Sequence, residues 1–223
     1  MTKKLSLSEE NYLKAIYFLL RNNEYDLVPT TELAGRLNAK ASSITDMVRK
    51  LDQKKLVRHR PYKGIDLTEE GERNAMKVIR KHRLWEVFLV EYLGFGWEEV
   101  HDVAEQLEHI QSDKLVDRLD DFLGYPAYDP HGDPIPDANG KIRNAYTELM
   151  SDCDAGQQGM IGRIKDSSAD FLRLIEEKDL RPNTRFRIIS KEPYDGIMEL
   201  ERNSKRVTIS EKVASNLFVK IDR

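Results

Sequence analysis

The sequence predicts a mainly α-helical chain with a small share of β structure: an N-terminal winged helix-turn-helix, a helical middle region and a small C-terminal β-barrel. Three observations carry this. Helical apolar periodicity runs through most of residues 8 to 123. A short, basic, β-capable run broken by a turn interrupts it at residues 56–68. Beyond residue 158 the chain breaks into short β-capable runs split by turn residues. With 223 residues, 39% of them apolar, there is material for at least one full core shared among two or three small units.

The first helix is predicted from SLSEENYLKAIYFLL, with Ser8 as its N-cap and Tyr12, Leu13, Ile16, Tyr17, Leu19 and Leu20 as its apolar stripe. VPTTELAGRLNAKASSITDMVRKLDQKKLV reads as two helices joined by a tight turn. Pro29 and Thr30 start the first, which turns Leu33, Ala34 and Leu37 inward. Asn38 to Ala41 make the turn, and Ser42 or Ser43 caps the second helix, whose buried stripe is Ile44, Met47, Val48 and Leu51. LVRHRPYKGIDLT, broken at Pro-Tyr-Lys-Gly, is a hairpin and supplies the wing. From a cap at Thr68 a long helix runs to Gly94. Its Trp85, Phe88, Leu89, Tyr92 and Leu93 offer more apolar surface than one packed face needs. Leu115, Leu119, Phe122 and Leu123 repeat the pattern, so the two segments form either core or a dimer interface. Residues 125 to 159 are rich in Pro, Gly, Asp and Asn and read as a linker, apart from a short segment around Ile142 to Met150. GMIGRI, TRFRIISKEP, GIMELERN, KRVTIS and LFVKI, with one helix at ADFLRLIEEKDL, then fit a small barrel.

Composition narrows the function. No apolar run reaches the roughly eighteen residues of a membrane span, and MTKKLSLSEENYLK lacks the apolar core of a secretory signal, so a cytoplasmic location is expected. The single cysteine, Cys153, excludes an internal disulfide and a multi-thiolate metal site. The net charge of −3 is unevenly divided: thirteen Lys and Arg against seven Asp and Glu over residues 1–65 give +6, leaving −9 for the remainder. A basic reading head on an acidic body is the expected consequence. Helix pairs of this kind also occur in ordinary all-α proteins; the charge and the wing favour DNA, with Arg58, Arg60 and Lys63 at phosphates.

The stretch HDVAEQLEHI places His101, Glu105, Glu108 and His109 within an arc of about 100° on one helix. His82 and Glu86 share a face of another at i, i+4. Imidazole with carboxylate suits borderline or hard divalent ions, although a solvated charged face shows the same spacing.

Taken together, ENYLKAIY, the helix-turn-helix, LTEEGERNA, RKHRL, VHDVAEQLEHIQSD and DPHGDPIP resemble the metal-dependent repressors that include the diphtheria toxin repressor, the iron-dependent regulators and the manganese transport regulators. The resemblance spans almost the whole chain. It implies a winged helix-turn-helix DNA-binding domain at 1–72, a helical dimerisation and metal-binding domain at 73–140, a linker at 141–157 and an SH3-like (FeoA-like) domain at 158–223. It also implies a primary metal site of Asn11, Glu105, Glu108 and His109. The ancillary site it implies holds His82, Glu86 and His101 with Asp170 from the SH3-like domain. Ser167 stands at that domain's second ligand position, and Asp166 is a substitute after a shift. Iron-responsive members carry cysteine where this chain has Glu105 and manganese-responsive ones glutamate, so Mn(II) is favoured and Fe(II) comes next. Asn11 stands where methionine or aspartate is usual. On the DNA side, Ser42, Ser43, Thr45 and Asp46 match groove-facing positions, with phosphate contacts from Lys40, Arg49, Lys50, Arg60 and Lys63. His59 and His131 are read as structural or solvated.

The resulting expectation is a homodimeric, divalent-metal-dependent repressor of metal-uptake genes that binds double-stranded operator DNA. No enzymatic activity, small organic substrate or membrane partner is expected. One alternative keeps the DNA binding but makes the effector a small organic ligand. The other is a di-metal enzyme or storage bundle, which needs Glu-x-x-His pairs, and here Gln106 and Ile79 stand three residues before His109 and His82.

Overall fold

The computed structural model describes residues 4–21, 25–142 and 148–222. Two compact units divide it: residues 1–82, 107–111 and 136–141 form one, and 83–106, 112–135 and 142–223 the other.

In the first unit α1 (Leu7–Arg21) begins one residue after Ser6, not at Ser8 as expected. The reason is a capping box: the Glu9 N–H donates to Ser6 Oγ (3.3 Å) and the Ser6 N–H to Glu9 Oε2 (2.9 Å). Next, α2 (Thr30–Arg36) and α3 (Ala41–Gln53) form the helix pair, with extended Pro29 and Lys40 before them. Ser42 and Ser43 therefore lie inside the first turn of α3 and do not cap it. Leu13, Ile16, Leu33, Ile44, Val48 and Leu51 are fully buried, the inward stripes the periodicity predicts. The wing is β1 (Val57–Arg60) paired antiparallel with β2 (Gly64–Leu67), Val57 opposite Leu67 and Arg60 opposite Gly64. Gly64 needs to be glycine, because its φ is 134° and a Cβ would press on Leu27 and Val28.

Helix α4 (Glu69–Leu93) starts where Thr68 Oγ1 accepts the Gly71 N–H (3.1 Å), and left-handed Gly94 follows its end. The boundary between the units falls within it, after His82. In the second unit come α5 (Val100–Leu107) and α6 (Asp113–Phe122), the latter capped by Ser112. Leu84, Val87, Val116, Leu119 and Ile135 form a small core, flanked by partly buried Trp85, Phe88 and Leu123. Beside it lies an uncovered aromatic face: Phe88 stacks on Tyr92 (5.8 Å), Tyr92 meets Phe122 (4.8 Å), and Tyr92, Leu93 and Phe122 are at least half exposed.

Residues 125–135 are not the solvated linker that their composition predicts. Asp129, His131 and Ile135 are buried, the Ile164 N–H donates to the His131 carbonyl (2.9 Å), and Arg83 donates to the Pro134 carbonyl (2.5 Å). Guanidinium and backbone amide groups satisfy the strap's carbonyls, which lets an irregular segment be buried. Part of the expected segment at 142–150, residues 143–147, lies outside the described residues. The C-terminal domain is a six-stranded antiparallel sheet of β3 (Glu148–Leu149), β4 (Gln158–Ile164), β5 (Arg185–Lys191), β6 (Met198–Arg202), β7 (Lys205–Ile209) and β8 (Leu217–Ile221). Their spatial order is β3-β8-β4-β5-β6-β7, and α7 (Ala169–Glu177) and the short α8 (Glu211–Ala214) complete the domain. Its core includes Met150, Ile161, Leu172, Ile188, Leu200 and the only cysteine, Cys153. Burial pushes that thiol up to about 11.

Candidate metal centre and DNA-binding face

Helix α5 stops at Leu107, so the single-helix arc holds only for His101 and Glu105. Glu108 and His109 lie in the turn after it, where the Ile110 N–H donates to the Leu107 carbonyl (3.1 Å). That turn brings both residues to α1 within the first unit. Glu108 is fully buried; Lys14 Nζ donates to both of its oxygens (2.9 and 2.7 Å), and His82 Nδ1 lies 2.6 Å from Oε2. Burial alone would raise the Glu108 pKa, but His82 and Lys14 outweigh it and hold the carboxyl below its usual range. His109 turns Nδ1 to Glu10 Oε2 (2.6 Å), and its Nε2 lies 3.5 Å from Glu108 Oε1. Gln111 and Lys81 hold Glu10 from the other side, at 2.9 and 3.6 Å from Oε1. Asn11 is half-buried on α1, directly after Glu10.

In the second unit Glu86, one helical turn beyond His82 on α4, is buried and meets two imidazoles. His101 Nδ1 is 3.3 Å and His131 Nδ1 3.8 Å from Glu86 Oε1. His101 Nε2 is 3.5 Å from Glu105, whose side chain is 53% exposed. Hydrogen bonds to Glu105 and Glu86 push His101 up to about 9. Burial favours neutral His131, yet Glu86 and Asp129 override it and its pKa also rises to about 9. His131 Nε2 donates to the Trp97 carbonyl (2.7 Å), which leaves Nδ1 toward Glu86. Asp129 is raised to about 7 by burial and by neighbouring Glu86 and Asp133, against Arg83 and His131. Glu86, Asp129 and His131 bring one ligand atom each to within 4.8 Å of one another, all three buried. Carboxylate and imidazole without thiolate fit a borderline or hard divalent cation.

Asp170 points into solvent on α7 and pairs with Arg173 (3.6 Å), while Asp166 accepts the Ser168 N–H (2.9 Å). Among the described residues neither joins the Glu86 group. Asp129 is not among the expected site residues and His131 is expected to be structural or solvated; the structure buries both beside Glu86. Glu9, Glu10 and Lys14 are likewise outside the expected site residues, yet they contact Lys54, His109 and Glu108. A signal was present: Glu9 and Glu10 fall three or four residues before Leu13 on the buried stripe of α1, where an ordinary surface carboxylate has no place.

All nine predicted DNA contacts are exposed: Lys40, Ser42, Ser43, Thr45, Asp46, Arg49 and Lys50 at or along α3, with Arg60 and Lys63 on the wing. Lys50 is also engaged with Glu9 Oε1 (3.1 Å). Arg58 is tied to Asp66 across the hairpin (2.5 Å), and His59 sits half-buried in β1.

A basic winged head in one chain with buried carboxylate and imidazole groups defines a metal-responsive DNA-binding regulator. Comparisons agree. Residues 4–65 match the iron dependent repressor N-terminal DNA binding domain, 68–137 the iron dependent repressor metal binding and dimerisation domain, and 149–221 the FeoA domain. The chain is 36% identical over 220 residues to the iron-dependent repressor IdeR of Mycobacterium leprae, covering 92% of this chain and 93% of that one. It is 41% identical over 119 residues to an uncharacterised HTH-type transcriptional regulator, MJ0568 of Methanocaldococcus jannaschii, covering 53% of this chain and 94% of the relative. A solved manganese-dependent transcriptional repressor in complex with manganese superposes with a TM-score of 0.83 at 36% identity, over 95% of this chain and 98% of that one. The manganese regulator SloR gives 0.76 at 30%, over 96% and 98%. The chain belongs to the iron-dependent repressor family, whose members are metal-dependent transcriptional repressors and not enzymes.

Proposed function

We propose that this protein is a homodimeric repressor of metal-uptake genes that binds operator DNA when a divalent cation, Mn(II) before Fe(II), is plentiful. The observation that carries the ion preference is the thiolate-free donor set. Glu105, Glu108, His109 and Asn11 offer only oxygen and nitrogen, and the one cysteine is committed to the core of the C-terminal sheet. The primary site in this reading is Asn11, Glu105, Glu108 and His109. The ancillary site is His82, Glu86 and His101, with Asp129 and His131 adding ligand atoms beside Glu86; Asp170, which points into solvent and pairs with Arg173, is the C-terminal contribution the family resemblance implies. In this reading the domains divide at 1–72, 73–140, 141–157 and 158–223, with residues 148–153 of the linker given over to the C-terminal sheet and its core.

When bound, the cation supplies positive charge at the buried carboxylates. Glu10 holds the His109 ring so that Nε2 stays on the Glu108 side, an orientation a ligating imidazole needs. Asn11 adds an uncharged oxygen from α1. Through the same helix, Glu9 reaches Lys50 and Lys54 of the reading pair (3.1 and 2.5 Å). Metal that favours one placement of α1 therefore favours one placement of α3, and DNA binding is linked to metal by that difference alone. Ser42, Ser43, Thr45 and Asp46 face the groove, and Lys40, Arg49, Lys50, Arg60 and Lys63 meet phosphates. The uncovered Phe88, Tyr92 and Phe122 face supports the dimer.

Fluorescence anisotropy on DNA from a metal-uptake promoter tests the reading, with chelated protein and then buffered free Mn(II), anaerobic Fe(II), Zn(II) and Co(II). Binding is expected only with metal, at the lowest free concentration relative to cellular supply for Mn(II). Equal binding by chelated protein refutes it.

A further inference from the structure

The proposed effector site depends on Glu108, and a cation of the chain already sits there. Lys14 Nζ donates to both carboxylate oxygens, and the two side chains are only 13% and 1% exposed, so water screens the pair weakly. The remaining contacts of Glu108 leave little spare capacity, with His82 on Oε2 and His109 near Oε1. A divalent ion that coordinates Glu108 needs one of those oxygens and meets a positive charge within hydrogen-bond distance of it. Lysine suits a contact that must open. Its ammonium is a compact charge on a flexible stem, whereas arginine would clamp the carboxylate with a rigid fork. As an ordinary stabilising contact the pair is poorly placed, since desolvating two charges offsets much of their attraction.

We propose that Lys14 is a built-in competitor of the effector cation: its ammonium holds Glu108 in the metal-free protein and must release a carboxylate oxygen before the ion binds. Lys14 thereby sets the metal concentration at which the repressor responds. The proposal rests on reading Glu108 and His109 as effector ligands. It also places the displaced group on α1, one turn from Asn11 and Glu10, so release acts on the helix that carries Glu9.

The test measures binding of Mn(II) alone to the full chain at constant pH, reading free Mn(II) by electron paramagnetic resonance without DNA. Lys14→Met keeps the stem and drops the charge, and is expected to bind at least about tenfold tighter than the parent. Lys14→Gln, which retains a hydrogen-bond donor for Glu108 and guards against misfolding of the first variant, is expected to shift the same way. Lys14→Arg is expected to bind no tighter than the parent. Glu108→Gln is expected to lose the site in every background. Unchanged or weaker binding by both neutral variants, with Glu108→Gln still inactive, overturns the role of Lys14 and leaves the site standing. Equal binding by the parent and Glu108→Gln overturns the site reading, and the role of Lys14 with it.

Discussion

Glu9 offers a sharp test of how the first helix is tied to the reading head. Its carboxylate is 1% exposed, accepts the Ser6 N–H, and faces Lys54 at 2.5 Å and Lys50 at 3.1 Å. Burial pushes its pKa up, but the two lysines and the Ser6 amide more than reverse this, taking it from 4.5 to about 2. That difference corresponds to about 3 kcal/mol of preference for the ionised form. Lys50 is 53% and Lys54 27% exposed, so solvent screening trims the expected stability contribution to about 2 kcal/mol. The sign follows from linkage. A depressed carboxylate pKa stabilises the fold fully above 4.5, and the contribution is lost as pH falls through about 2. Glu9→Gln keeps the shape and removes the charge. Urea unfolding followed by circular dichroism is expected to place this variant about 2 kcal/mol below the parent at pH 7, with less than half of that gap left at pH 3. A gap below about 0.5 kcal/mol at pH 7, or one undiminished at pH 3, refutes the argument.

Three further outcomes follow from the geometry. Phe122→Asp puts a charge into the exposed Phe88 and Tyr92 face and is expected to yield monomer in sedimentation with unchanged helicity; a persistent dimer would place the interface elsewhere. Gly132→Ala asks for a Cβ at a φ of 83° where the Gly162 carbonyl already lies, and is expected to cost about 2 kcal/mol or more in thermal unfolding, so an unshifted Tm would contradict it. Because His101 and His131 are raised to about 9, their charged forms stabilise the metal-free fold fully below 6.5 and that contribution fades as pH rises through 9. Metal must displace those protons, so the logarithm of Mn(II) affinity is expected to climb from pH 6 to 9 with proton release in calorimetry, and a flat profile would exclude both rings as ligands.

What the sequence determined by itself is what local periodicity and short motifs encode. The stripes of α1 and α3, the Thr68 cap, the Gly94 stop and the alternating runs of the C-terminal sheet were all legible, because each depends on residues within a few positions of one another. The exposed face of α3 was legible for the same reason: Ser42, Thr45, Asp46 and Arg49 alternate with a buried stripe. Tertiary structure decided the partners. The end of α5 at Leu107 turned Glu108 to Lys14, ninety-four residues away, and His109 to Glu10. Burial of Asp129 and His131 depended on Arg83, β4 and the Trp97 carbonyl, none of which is near the strap in sequence. A Pro- and Gly-rich stretch has no period of its own, so its fate rests on whether distant donors satisfy its backbone. The charge state of a buried carboxylate or imidazole is likewise set by which groups the fold brings within a few ångströms of it, and that distance is not written in sequence spacing.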